Sequence, residues 1–257
     1  MKEAENAVKE LLEPTERIME QISSLLESGE IQLIIGDDAS GRVPTAIFRK
    51  IFDIAYKERG FIVPETRFIT GSRRLIGQDK IEKKEKIAGY FGVDTEKTAI
   101  PNKKKAVELF STVKEDIEKK FGRPFDRALI VTDTVQTGVS LAPLVEVLND
   151  LGVKTTVASI GFDAYEEDRK KLEDKWQADL INGIEYAPEV FGHNTFSGVR
   201  KEPEDLFSIL YKTDNYLDSD QQKEMQGKIN KTREMADLVA KEAYGNWKAK
   251  RGKKIVV

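Results

Sequence analysis

The stretch Ala128–Leu141, ALIVTDTVQTGVSL, decides the fold. Its first four residues are uniformly apolar and too few for a helix, so Ala128 to Val131 reads as a buried strand. The segment TDTVQTG then reads as a loop. From Leu141 a second apolar pattern recurs at helical spacing through Leu144, Val145 and Leu148, with Gly152 placed to end it. Strand, loop and helix follow one another within 25 residues, from Ala128 to Gly152.

The same grammar occurs upstream. Ile31 to Ile35 is a short apolar run, GDDASGR is a loop, and VPTAIFRKIFDIAY carries Ile47, Ile51 and Ile54 at helical spacing, with Pro44 suited to a first turn. Thr155 to Ile160 reads as a further buried strand, and TRFITG around Phe68 as a weaker one. Strands alternating with helices predict an α/β fold whose mostly parallel sheet is flanked by helices. In such sheets ligands bind beyond the carboxyl ends of the strands.

Helical additions flank this unit. Val8, Leu11, Leu12, Ile18, Ile22 and Leu26 predict one kinked or two short amphipathic helices interrupted at Pro14, and a long helix is expected from about Ser219 to Trp247. The expected division is a helical segment over 1–30, the α/β domain over 31–200 and a helical extension over 201–257. Between the two strand–loop–helix units lies a charged, Lys-rich region that reads equally as helix or loop. Clusters of Gly, Pro and Asn in NGIEYAPEVFGHNTFSGVRKEPEDLFS predict loop.

Composition narrows the chemistry. A chain of 257 residues with no Cys has no disulfide, thiolate zinc site or Cys nucleophile, and its single His argues against a His-rich metal site. A net charge of -3 with 34% charged residues leads us to expect no nucleic-acid partner. The N-terminus lacks the apolar core of a signal peptide and no segment is apolar enough to span a bilayer, so a cytoplasmic protein with no membrane partner is expected.

The loop after Val131 has the chemistry of a phosphate site. A strand-to-helix loop presents unpaired backbone N–H groups at the positive end of the helix dipole. Thr134, Thr137 and Ser140 add hydroxyls, and Gly138 permits close approach of the backbone. Asp133 beside such a cradle would repel phosphate unless it held hydroxyls or a divalent cation, so a sugar phosphate with a metal satisfies both halves. The competing reading is that Thr134 and Thr137 cap the helix and Asp133 caps a turn. In the upstream loop, Asp37 and Asp38 offer carboxylates and Arg42 offers bidentate hydrogen bonds to phosphate oxygens. That loop also nearly spells a Walker A motif, with Gly36 and Gly41 correctly spaced but Arg42 and Val43 where Lys and Ser/Thr belong, which keeps a degenerate P-loop NTPase open.

ALIVTDTVQTGVSL resembles the phosphoribosyl pyrophosphate signature of type I phosphoribosyltransferases, in which an apolar run leads into two acidic residues and a Thr-Gly phosphate loop. SGRVPTA, from Ser40 to Ala46, is similar to that family's upstream pyrophosphate loop. The resemblance implies a type I phosphoribosyltransferase-like fold and a cytoplasmic glycosyltransferase of nucleotide metabolism, moving 5-phosphoribosyl between pyrophosphate and a nitrogenous base with Mg²⁺. It implies that the segment Thr134, Val135, Gln136, Thr137, Gly138, Val139 and Ser140 cradles the 5′-phosphate. Asp133 would hold ribose hydroxyls, contribute to the metal site and act in catalysis; Ala39, Ser40, Gly41 and Arg42 would meet pyrophosphate. Partners would be phosphoribosyl pyrophosphate and a base or nucleotide, with a homodimer compatible with this reading. The chain departs from the family pattern at Thr132, which stands where the first acidic residue belongs and would bind substrate by hydrogen-bonding ribose without supplying charge, and at Gln136, where some members carry a carboxylate. Thr132 favours the alternative of a non-catalytic member that senses phosphoribosyl pyrophosphate or a nucleotide through the same fold.

Three further features have two readings each. Arg73–Arg74, Lys83–Lys86 and Lys103–Lys105 fit either a lid over pyrophosphate or solvated helix faces. His193, near Phe191 and Phe196, either lines a base pocket or is structural. The basic segment KAKRGKK reads as a solvated tail or a nucleic-acid contact.

Overall fold

The computed structural model describes residues 2–37, 41–69, 103–163, 165–187, 199–200, 209–210 and 218–254. The chain opens with three helices, α1 (Lys2–Lys9), α2 (Leu12–Gln21) and α3 (Ser23–Ser28). The break falls just before Leu12, so Pro14 sits in the first turn of α2, where its missing N–H deprives no carbonyl. Strand β1 (Leu33–Asp37), helix α4 (Arg42–Glu58) and strand β2 (Glu65–Ile69) follow. After α5 (Lys103–Phe121) come β3 (Arg127–Val135), α6 (Ala142–Asp150), β4 (Lys154–Phe162), α7 (Glu166–Trp176) and β5 (Asp179–Ile184). A short antiparallel pair, β6 (Val199–Arg200) with β7 (Ile209–Leu210), precedes α8 (Ser219–Lys254).

The five long strands form one sheet in the order β2-β1-β3-β4-β5, with every pairing parallel. Alternating residues serve opposite faces, as the pleat requires. Ile34, Leu129, Val131, Ala158 and Ile160 pack with α1 to α4 and α8, whereas Leu33, Ile35, Ala128, Ile130 and Val157 pack with α5 and α6. A sheet covered on both faces needs apolar residues on both, which is why its central strands read as continuous apolar runs.

Strands β3, β5 and β6 differ from the sequence expectation, β6 because Val199–Arg200 lies within the segment read as loop. Strand β3 runs to Val135, because Thr134 and Val135 continue the ladder opposite Gly161 and Phe162, so the loop is reduced to Gln136–Leu141. The segment DLINGI is a strand, β5, at the sheet edge. Its Gly183 lets Pro14 of α2 pack directly on the backbone, since a Cβ there would lie 2.5 Å from Pro14.

The terminal helices complete one layer of the sandwich. Val8, Ile18 and Ile22 from the N-terminal helices share a cluster with Phe48 and Phe52 of α4 and with Val239, Ala243 and Trp247 of α8. The basic end of the chain is helical to Lys254, and Lys250 pairs with Glu16 at 3.0 Å while Arg251 pairs with Glu27. The segment is therefore helical, and Lys248, Lys250 and Arg251 are tethered by surface ion pairs, while Lys248 to Lys250 remain exposed. Among the described residues no helix is long and apolar enough to cross a membrane.

Two polar clasps tie the layers. Buried Tyr56 donates to the Leu25 carbonyl at 2.9 Å and accepts the Ile31 N–H at 3.0 Å, joining α3, α4 and the entry to β1. Burial raises its pKa, so the phenol stays protonated and able to donate. Tyr56→Phe should lower stability by about 1–3 kcal/mol in denaturant unfolding, because the Ile31 N–H is then buried without its acceptor. Unchanged stability would refute the clasp.

At the other clasp, Glu58 accepts hydrogen bonds from Lys248 and Tyr244, each at 2.8 Å. The first of these, then the second, holds the Glu58 carboxyl below its ordinary range. A carboxyl whose folded pKa is depressed adds stability above its unfolded pKa and loses it as pH falls through the folded value. Native and Glu58→Gln proteins should therefore differ slightly in melting temperature at neutral pH and converge on acidification below the carboxylate range. A gap that does not change with pH would mean that Glu58 acts by packing alone.

Candidate functional site

In the order β2-β1-β3-β4-β5 the connections leave β1 toward opposite edges, so the sheet's switch point lies between β1 and β3. At such a point in a parallel sheet the loops diverge, and the place where ligands bind is the crevice beyond the strand ends. Both loops singled out in the sequence end at this crevice.

A polar row crosses the carboxyl end of the sheet. Gly36 pairs with Val131, which brings Asp37 beside Thr132, and Thr132 pairs with Ser159, itself opposite Asn182 of β5. Asp37, Thr132 and Ser159 are buried although the strands below them are apolar. The Thr132 hydroxyl lies 3.2 Å from Asp37 Oδ2 and 3.2 Å from Asp133 Oδ1. A hydroxyl has one hydrogen and donates to one carboxylate at a time. Two acidic groups thus flank one donor, and Asp133 remains half-exposed toward the crevice. Ser159 had no distinguishing signal in its β-branched run, and Asn182 lay in a segment that reads as loop.

The loop after β3 is short and its donors are unspent. Among the described residues the backbone N–H groups of Thr137, Gly138, Val139 and Ser140 make no hydrogen bond, nor do the hydroxyls of Thr134, Thr137 and Ser140. Leu141 is the N-cap of α6 and no side chain caps that helix. The capping reading of Thr134 and Thr137 therefore fails. Gln136 instead donates to Asp163 at 2.7 Å, tying the loop to the end of β4. Val135, by contrast, is buried in the α5–α6 core and can offer a ligand only its backbone.

Gly138 has a different reason from close approach by a ligand alone. Its φ is +68°, and a Cβ there would lie 2.4 Å from Trp176 of α7, so the loop folds down on the indole only because the side chain is absent. Val139 remains 46% exposed on the loop's outer side.

Across the crevice, Gly41 closes the turn from β1 to α4. A Cβ at this position would lie 2.7 Å from the Asp37 carbonyl and 2.9 Å from that of Val131, so only glycine lets the turn cross β3 this closely. Arg42 begins α4 with its guanidinium 4.3 Å over the Phe68 ring, on the β2 side of the turn. Gly36 lies inside β1, laddered to both neighbours and covered by Phe68, and does not start a loop as the first Walker A glycine would. Asp38, Ala39, Ser40, residues 70–102 and His193 with Phe191 and Phe196 lie outside the described residues; Lys103–Lys105 open α5.

Among the described residues no three His, Cys, Asp or Glu side chains converge. The acidic donor set is Asp37 and Asp133 with the Thr132 hydroxyl. That set suits Mg²⁺, which is commonly held by one or two carboxylates while water and substrate phosphates complete its octahedron.

No model of a known protein family matches the chain, and no curated protein matches it.

The buried hydroxyl between two carboxylates yields a prediction. Thr132→Asp should destabilise the ligand-free protein by about 3 kcal/mol, because it buries a third acidic group with no added cation. In an Asp37→Asn background the penalty should fall to less than half, as read by chemical denaturation. Equal penalties in both backgrounds would show that Asp37 and residue 132 do not interact.

Proposed function

We propose that the protein is a phosphoribosyltransferase, transferring 5-phosphoribosyl between pyrophosphate and a nitrogenous base. The observation that carries this reading is the loop of unspent N–H and hydroxyl donors at Thr137–Ser140, next to the Asp133 carboxylate. The loop donors would hold the 5′-phosphate at the N-terminus of α6. Asp133 would accept hydrogen bonds from the ribose hydroxyls, and Ala39, Ser40, Gly41 and Arg42 would hold the pyrophosphate. Asp133, with Asp37 and the Thr132 hydroxyl beside it, would hold Mg²⁺, which would supply neutralising charge to a pyrophosphate group.

In the reaction the bond from ribose C1 to pyrophosphate oxygen breaks, its electron pair leaving with pyrophosphate. A bond forms from the base nitrogen to C1, and the nitrogen's proton is released. Positive charge grows on the ribose as the first bond stretches. The Asp133 carboxylate would stabilise that positive charge more strongly in the transition state than in the ground state, which is the condition for raising turnover.

A second reading, a non-catalytic sensor of the same ligand, draws support from Thr132, which presents a hydroxyl rather than a second carboxylate on β3. A P-loop NTPase draws less support, because Gly36 lies within a strand.

Phosphoribosyl pyrophosphate with Mg²⁺ should raise the melting temperature, by an amount equivalent to about 2.7 kcal/mol at a hundredfold excess over Kd. Pyrophosphate should appear when a panel of purine and pyrimidine bases is added. Asp133→Asn should reduce that release more than it reduces binding. Stabilisation without turnover on any base would select the sensor. No stabilisation, together with Mg²⁺-dependent ATP hydrolysis, would overturn the proposal in favour of the NTPase.

A further inference from the structure

Beside the strand-end crevice, on the β2 side, α4 and α8 enclose a pocket of about 440 Å³. This is within the size range of small-molecule sites. Its wall on α4 is a stripe formed by Arg42, Ala46 and Arg49, residues four and three apart and therefore on one helical face. Phe68 closes one end, and α8 contributes Arg233 and Asp237.

The charges in this pocket are unevenly satisfied. Arg49 and Arg233 are exposed and form no ion pair among the described residues, although acidic side chains stand on the same helix as Arg233. Glu234 is engaged by Lys231 at 3.0 Å. Asp237 has no ion-pair partner among the described residues either. The pocket thus combines two available guanidinium groups, one available carboxylate and the Arg42 guanidinium 4.3 Å over the Phe68 ring.

Each of these groups selects a different part of one ligand class. Guanidinium groups hold phosphate oxygens by paired hydrogen bonds. A carboxylate accepts from ribose hydroxyls, and an aromatic–guanidinium stack offers a surface for a nucleobase. Arg42 and Arg49 are separated by seven residues, roughly 10 Å along the helix, so a base at one end and phosphate at the other would span the pocket. We infer that this pocket is a second binding site, adjoining the strand-end crevice at Arg42, and that it takes a nucleoside phosphate, with base toward Phe68 and the Arg42 guanidinium and phosphate between Arg49 and Arg233.

The inference does not depend on the transferase reading, and the two can be tested apart. Binding of ADP, adenosine and inorganic phosphate to the full chain is measured by calorimetry without divalent cation. ADP should bind, each fragment should bind at least about tenfold more weakly, and Arg49→Ala/Arg233→Ala should weaken ADP roughly tenfold or more. Both arginines are exposed, so this variant should keep the native melting temperature. Asp133→Asn should leave ADP binding intact, while the double-arginine variant should retain stabilisation by phosphoribosyl pyrophosphate with Mg²⁺. No ADP binding would overturn the inference, as would ADP binding lost in Asp133→Asn but kept in the double-arginine variant. Inorganic phosphate binding as tightly as ADP would overturn the assignment of a nucleoside.

Discussion

The parallel pairing of β1 with β3 is the constraint on which the rest of the molecule depends. It places Gly36 opposite Val131, and every feature at the crevice follows from that register. With no side chain at Gly36, Phe68 from β2 and Thr45 from α4 both close over the strand; a Cβ would lie 2.6 Å from the first and 2.7 Å from the second. With none at Gly41, the turn into α4 rests on the carbonyls of Asp37 and Val131. The start of α4 is therefore held against two strands at once, and Arg42 emerges over Phe68. The strand-end loops and the α4–α8 pocket meet at this residue.

The terminal helices make sense in the same terms. A parallel sheet must be covered on both faces, and the helices connecting successive strands supply one face with α5 and α6 but give the other only α4 near its centre. The N-terminal helices and α8 supply the missing cover, with α2 packed under β4 and β5 and α8 along α4. Apolar contact provides the adhesion. The ion pairs at Glu16, Glu27 and Glu58 are exposed and fix where α8 lies more than they hold it there. A helix that reads in sequence as an appendage is thus part of the core layer and forms one wall of a pocket.

Much of this architecture was legible in the sequence because its signals are local. The apolar runs at Ile31–Ile35 and Ala128–Val131 and the helical spacing of Ile47 and Ile51 identify their elements without reference to the rest of the chain. The signals that failed are those set by neighbours. Thr134 and Val135 are strand residues because β4 continues beside them, and DLINGI is a strand because β4 pairs with it and Gly183 admits α2. Gly138 invited a reading as a backbone approach site for phosphate, yet Trp176, 38 residues further along, already requires it. Ser159 and Asn182 carry no motif at all and become visible as part of a polar row only when four strands are in register.

Thr132 is the sharpest instance of the difference between reading along a chain and across a sheet. Along the chain it looks like a lost charge, a neutral residue where the phosphoribosyl pyrophosphate signature carries an acidic one. Across the sheet, the carboxylate of Asp37 lies 3.2 Å from its hydroxyl, on the neighbouring strand. The end of β3 therefore has two acidic groups close by, one from each strand, with a donor between them to relieve their repulsion. A carboxylate at 132 would instead face Asp37 with nothing between them, so residue types at 37 and 132 are coupled: acidic at one requires a neutral donor at the other. The acidic character of this strand end is thus shared between β1 and β3, and the neutral residue at 132 has a carboxylate on either side of its hydroxyl.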